Sequence, residues 1–365
     1  MRKIKELIQA ILAIPAIKTL LRWFSLIVTG LFSSNRLFSV VYHLFCFFPH
    51  SREQQAVLRG QYRYFRNEYL GQDTKVNLRR NIHRLEKGLL MRPRKAVFGL
   101  NFIADTVRYF GIQVGSANVD DHPEALDELY WASDVLHAYF DAVEKRPILK
   151  RLQADFEEIQ IRLPKRKLGD RKRIPYRPER GTPPSVTYRD LLELSRRRKS
   201  VRWFKDRPVP RELLDQAVSI ASETPSACNR QPFHYRIYDD RSLVQKVAAF
   251  PFGSAGYADN IPAIVVLTGD LSYYFSSRDR HIIYIDASLS AMAFIYGLET
   301  LGLGSCVINW PDFEPLEMKI SKTLGLKLEE RPIMMIAVGY PDAEGEVAYS
   351  QRKPIDQVRS YNRID

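Results

Sequence analysis

The chain has 365 residues, 45% hydrophobic and 27% charged, which allows two domains and a sizeable core. Its three cysteines, Cys46, Cys228 and Cys306, are odd in number and far apart, which argues against a disulfide framework or a cysteine metal site and fits a reducing cytoplasm. The formal net charge is +13, and the whole excess lies in the first hundred residues, where 18 Lys and Arg face 5 Asp and Glu, so an acidic partner would meet that part of the chain.

Residues 1–50 are basic and apolar together. Ile4, Leu7, Ile8, Ile11 and Leu12 mark one helical face. Pro15 interrupts, and apolar runs follow around Trp23, Phe24 and Leu26, and again from residue 37 to 48. Lys18 and Arg22 break what would be the apolar core of a signal peptide. The uncharged stretches 23–35 and 37–51 fall short of the roughly 20 residues that a bilayer core demands. Two readings stand. Residues 1–48 form amphipathic helices on an anionic membrane surface, making the protein peripheral at the inner face, or they pack on the rest of the protein or a second copy.

Residues 51–163 read as a helical domain. Its densest group of functional side chains is His83, Arg84, Glu86 and Lys87. In a helix His83 and Lys87 share a face, Ile82 and Glu86 share another, and Gly88 can cap the end. The group is either a lid or substrate-recognition element, or a salt-bridged helix end. Residues 164–184 are basic and rich in proline, a linker that places a domain boundary there. Nucleic-acid binding is disfavoured, because no recognition helix, RNP-type aromatic pattern or zinc motif accompanies these charges.

From 185 to 365 helices and strands alternate. Thr187 and Asp190 have capping-box spacing, and Pro210 with Glu212 opens a further helix. Strands are expected at 233–238, 264–267, after Gly302-Leu-Gly304, and at 333–338, with short helix 314–324 between the last two. The stretch 286–301 is apolar nearly all round, which predicts a central or dimer-interface helix.

Residues 198–232 organise the rest. Arg198, Ser200 and Arg202 alternate in an extended run, with Lys199 beside them, so the hydroxyl and two guanidinium forks can grip a phosphate. Further on, Pro225, Ser226, Asn229, Gln231 and Pro232 make a polar loop whose amides can meet a flat heteroaromatic edge. The two pieces, in this order, resemble the opening of the nitroreductase family of FMN-dependent oxidoreductases, and the resemblance continues over roughly 187–356.

The resemblance implies a three-layer α/β/α, α+β domain with a mixed sheet, here preceded by a helical extension found on some bacterial relatives. It also implies a homodimer with FMN at the interface and NAD(P)H as donor. Arg198, Lys199, Ser200 and Arg202 would hold the phosphate, ribityl and pyrimidine edge, and Arg352 and Lys353 would close on the phosphate. Pro225, Ser226, Asn229 and Gln231 would reach across from the other subunit, and the backbone near Asn309 and Trp310 would face the ring and its N5. The bulk of Asn309-Trp310-Pro311 is expected to narrow or re-shape the acceptor pocket. No catalytic side chain and no metal is expected, since hydride from NAD(P)H passes through flavin N5 to a small-molecule acceptor. The rival reading is a flavin-binding accessory or sensor protein of a membrane-associated pathway, without steady-state turnover.

Overall fold

The computed structural model describes residues 14–45, 50–116, 123–164, 171–177 and 184–364. The amphipathic face from Ile4 to Leu12, Cys46, and most of the basic linker lie outside them. Contacts divide the chain into two units, Met1–Ala56 and Val57–Asp365.

The first unit contains α1 (Pro15–Ser33) and α2 (Arg36–Phe45), joined by the turn at Ser34 and Asn35. Asn35 accepts the Phe38 N–H at 2.9 Å, and the Phe32 and Tyr42 rings meet at 5.5 Å across the turn. Trp23, Phe24, Leu26, Leu31, Leu37 and Val40 are all exposed.

In the second unit the part of α3 (Ser51–Leu70) from Val57 on, α4 (Lys75–Leu89), α5 (Ile103–Ser116), α6 (Pro123–Ala142) and α7 (Pro147–Gln160) form a helical layer. Its core combines Leu78, Ile82 and Leu85 of α4 with Phe110, Tyr139, Phe140 and Phe156. Gly88 is not the expected cap. The helix runs past it to Leu89, and a Cβ at Gly88 would lie 2.1 Å from the Phe98 ring, so glycine here permits close packing.

The α/β domain comprises α8 (Tyr188–Arg197), α9 (Arg211–Ser222), β1 (Phe233–Tyr238), α10 (Arg241–Ala248), β2 (Ala263–Asp270), α11 (Ile282–Thr300), β3 (Gly304–Asn309), α12 (Glu314–Leu324) and β4 (Glu330–Gly339). The strand order is β1-β2-β4-β3, and every pairing is antiparallel. The mixed character expected of the sheet is confined to one parallel bridge, between Ser200 and Ser305. β2 is buried on both faces, which explains its continuous apolar run. Ile264 and Val266 pack with Val244 and Val247 of α10 and Ile320 of α12. On the other face, a Cβ at Gly269 would lie 2.7 Å from Ile283 of α11, and Tyr235 meets Phe294 of α11 at 5.0 Å between ring centroids. Helices therefore cover both faces of the sheet, in three layers. α11 is long and apolar enough to cross a membrane, but half of its apolar stretch is buried in this domain.

The helical layer is seated directly on the α/β domain. Arg63 pairs with the buried Glu329, and a Cβ at Gly60 would fall 2.7 Å from the backbone of Leu271. Because backbone cannot step aside as a side-chain tip can, Gly60→Ala is expected to destabilise the protein by about 1–3 kcal/mol. Urea unfolding of the variant against wild type measures this; equal midpoints would show that α3 does not approach so closely.

Candidate functional site

The hook begins where α8 ends. Thr187 and Asp190 form the expected capping box, with the Asp190 N–H donating to Thr187 Oγ1 at 3.2 Å and the Thr187 N–H to Asp190 Oδ2 at 2.8 Å. The Thr187 N–H and, at 2.8 Å, its hydroxyl both donate to Oδ2 and hold the exposed Asp190 carboxyl below its usual range. Arg198 is the C-cap, and the chain then runs extended alongside β3, where the Val201 N–H donates to Ser305 O at 2.9 Å. Val201 packs against the core while Arg202 is exposed, its guanidinium 5.9 Å from the Tyr257 ring. The alternation then breaks, because Phe204 is buried. Asn260 clamps this residue by accepting the Phe204 N–H at 2.6 Å and donating to its carbonyl at 3.1 Å. Arg198 Nε is buried without a hydrogen-bond partner, a donor suited to an oxyanion. Arg352 and Lys353 lie exposed in the tail and, among the described residues, make no side-chain hydrogen bond or ion pair.

The polar loop stands elsewhere. It leads into β1, at one edge of the sheet, whereas the hook lies outside β3 at the other. The lateral separation is about 19 Å, four strand spacings. The registers put Phe233 level with Gly269 and Arg331, and Ser305 level with Val338 and Ala263, so hook and loop also occupy opposite ends of the sheet.

Within the loop Cys228, Asn229 and Gln231 have φ of 54°, 53° and 51°. Left-handed backbone is unusual for such residues and needs external bonds to persist. The Ala227 N–H donates to Asp286 Oδ2 at 3.0 Å, the Gln231 N–H to Ser226 Oγ at 3.0 Å, and Arg79 Nη1 to Gln231 Oε1 at 3.3 Å. Arg79 is itself held by Glu128, at 3.0 Å. Pro225 is exposed, and Ser226, Asn229 and Gln231 are half-buried.

Of the candidate lid residues, His83 Nδ1 lies 3.5 Å from Glu86 Oε2, and Glu86 Oε1 accepts the Trp131 Nε1–H at 2.9 Å. Arg84 stacks 3.6 Å over the Phe102 ring, and Lys87 is exposed. α4 packs against residues 227–229, so the helix bearing this group adjoins the polar loop. Trp310 corrects an expectation. Its side chain is buried and donates to Glu317, so its bulk points into the core and away from any pocket; Asn309 is exposed. Sequence reasoning missed Asn260, Arg79, Asp286 and Arg230 as supporting residues, since each acts through a partner distant in the chain.

Residues 195–255 and 244–340 match the model of the nitroreductase family. A protein of Methanothermobacter thermautotrophicus described as a putative NADH dehydrogenase/NAD(P)H nitroreductase is 26% identical over 160 residues, 43% of this chain and 80% of that one. The iodotyrosine deiodinase of Thermotoga neapolitana is 27% identical over 169 residues, covering 42% and 89%. A solved putative NADH dehydrogenase/NAD(P)H nitroreductase from Parabacteroides distasonis superposes with a TM-score of 0.42 at 26% identity, covering 47% and 98%. The sheet with helices on both faces is the three-layer α/β/α arrangement that the sequence leads one to expect. More closely, residues 195–340 resemble the nitroreductase family, whose model matches them.

Burial raises the Asp286 carboxyl above its usual range, while the Ala227 N–H and the Arg230 charge pull the other way. A raised carboxyl contributes stability that is full below the unfolded value and is lost as pH rises through the folded one. Asp286→Asn keeps an acceptor for Ala227 without the buried charge. Its stability relative to wild type should therefore improve as pH rises from about 4 to about 7, as read by urea unfolding at each pH. An unchanged difference would mean that Asp286 is as well solvated folded as unfolded.

Proposed function

We propose that the protein is an FMN-dependent NAD(P)H oxidoreductase that works as a homodimer on a small-molecule acceptor. The observation that carries this reading is the division of the candidate site. A hook able to bind an oxyanion and a loop presenting amides occupy opposite corners of one sheet, an arrangement that a second copy of the chain completes. Exposed apolar residues support pairing: Ile285, Leu289 and Met292 follow one another at helical spacing on α11, and Tyr349, Ile355, Val358 and Tyr361 mark the tail.

The residues present fit the cofactor. Arg198, Ser200 and Arg202 would bind its phosphate and polyol, and the tail would bring Arg352 and Lys353 to the same anion. Pro225, Ser226, Asn229 and Gln231 would present hydrogen-bonding groups to the ring edge, held in place by Asp286 and Arg79. FMN, when bound, supplies hydride transfer between NAD(P)H and the acceptor. The chain's own share is binding, orientation and charge. Arg202 offers a cation where negative charge on the ring edge needs one, and the buried Arg198 Nε an unpaired donor.

The visible spectrum of the purified full chain tests this reading. A bound flavin band that bleaches when NADH or NADPH is added without oxygen is expected, and Arg198→Gln should weaken FMN binding by about tenfold, the loss of a charge-assisted hydrogen bond. No flavin even after soaking with FMN would sink the reading, whereas a bound flavin unbleached by either nucleotide would favour an accessory protein.

The first unit is proposed to lie on an anionic membrane surface. Its exposed apolar residues occur on both helices, no charged residue occurs between Trp23 and Asn35, and the surrounding sequence carries the chain's whole basic excess. The full chain should co-sediment with vesicles containing phosphatidylserine and release at high salt. Replacing Trp23, Phe24 and Leu26 by Ser together should abolish the sedimentation; sedimentation that survives these changes would place the contact elsewhere.

A further inference from the structure

We infer that Arg80 and Arg84 of α4, with Arg230 of the polar loop, form an oxyanion subsite that takes a carboxylate or phosphate group of the acceptor. The inference rests on the proposed flavin chemistry for its meaning, but on the arginines themselves for its evidence.

Arg80 and Arg84 stand four apart on α4, on the part of the unit that packs against residues 227–229. Arg80 Nη1 donates to Tyr64 Oη at 3.3 Å, and its guanidinium lies 5.1 Å from the Phe275 ring. Arg230 lies over the neighbouring ring, Tyr274, at 4.9 Å. Arg84 rests on Phe102, with one long bond from Nη1 to Asn81 Oδ1 at 3.4 Å. Burial, then the Arg80 charge and, more weakly, that of Arg230, push Arg84 below the usual guanidinium range, so the three cations feel one another.

Among the described residues, none of the three forms an ion pair, whereas Arg79, one position from Arg80, is paired with Glu128. Arg230 is 5% exposed, its Nε has no partner, and its one hydrogen bond reaches Ala227 O at 3.4 Å. Asp286 is near enough to feel the Arg230 charge, but it holds the Ala227 N–H. Gathering partly buried like charges is costly unless an anion joins them. Planar guanidinium groups on aromatic supports suit bidentate capture of carboxylate or phosphate.

The position assigns the anion to the acceptor. Arg230 lies between Asn229 and Gln231, which are proposed to meet the ring edge rather than the FMN phosphate. Two of the three arginines come from the helical layer, outside the matched residues 195–340, so this subsite would distinguish the chain from relatives that consist of the α/β domain alone.

Binding of 4-nitrobenzoate and of nitrobenzene to the FMN-loaded full chain, followed by flavin absorbance, tests the inference. The carboxylate should bind about tenfold more tightly than its neutral analogue, and the preference should shrink as salt rises. It should vanish in Arg80→Gln/Arg84→Gln and persist in Arg80→Lys/Arg84→Lys, with FMN retained in both. Equal affinities in wild type, or a preference kept by the Gln variant, would overturn the inference while leaving the flavin reading intact. If wild type holds no FMN, the flavin reading fails, and the subsite is judged by phosphate titration of the apo chain at fixed ionic strength. Thermal stabilisation present in wild type and absent from the Gln variant supports it, and none in wild type overturns it.

Discussion

Cys228, Asn229 and Gln231 all carry positive φ, and the molecule around them is arranged to keep them so. Each such residue costs on the order of 1–3 kcal/mol, more than the loop could sustain alone. Ser226 ties the loop to itself, Asp286 ties it to the long helix beneath the sheet, and Arg79 ties it to the helical layer. The last tie depends on α4 lying close, and that in turn on Leu78, Ile82 and Leu85 being buried in an aromatic core. The helical layer thus supports the candidate site as well as adjoining it.

The same tie gives meaning to an otherwise odd distribution of charge. α4 carries three arginines within six residues, and among the described residues only Arg79 has a carboxylate partner. A helix placed merely to brace a loop would need one of them. Trp131 bonds Glu86, which pairs with His83, and its ring also lies 5.8 Å from the Arg79 guanidinium. The group singled out in the sequence therefore divides. Glu86 bonds His83 and Trp131, Arg84 rests on Phe102, and Lys87 is exposed.

Much of the fold was legible because its signals are local. The capping box at Thr187 and Asp190, the Pro210 helix start, and the buried runs of β2 and β4 depend on residues within a few positions of one another. β1 alternates, and its limits match the structure residue for residue. What failed depended on distant partners. Gly88 resembled a helix end because glycine often is one, but its reason is the Phe98 ring packed over the helix. Trp310 resembled a pocket wall because it follows a strand, but Glu317, a turn further on, draws it inward. The hook was legible as chemistry but not in its limits: alternation carried on to Phe204 predicts an outward residue, and Asn260 fastens the backbone where the pattern breaks. Arg230 went unread in the loop itself, because nothing in its neighbourhood reveals the cations of α4.

The placement of hook and loop at opposite corners of the sheet also bears on heredity and dose. In the proposed dimer each active centre draws its hook from one polypeptide and its loop from the other. A lesion in either piece would then damage one half of both centres, unless it is paired with a chain carrying the other lesion, when one whole centre is restored. Working sites at low abundance would follow the square of the protein concentration, so modest changes in expression would be amplified in turnover.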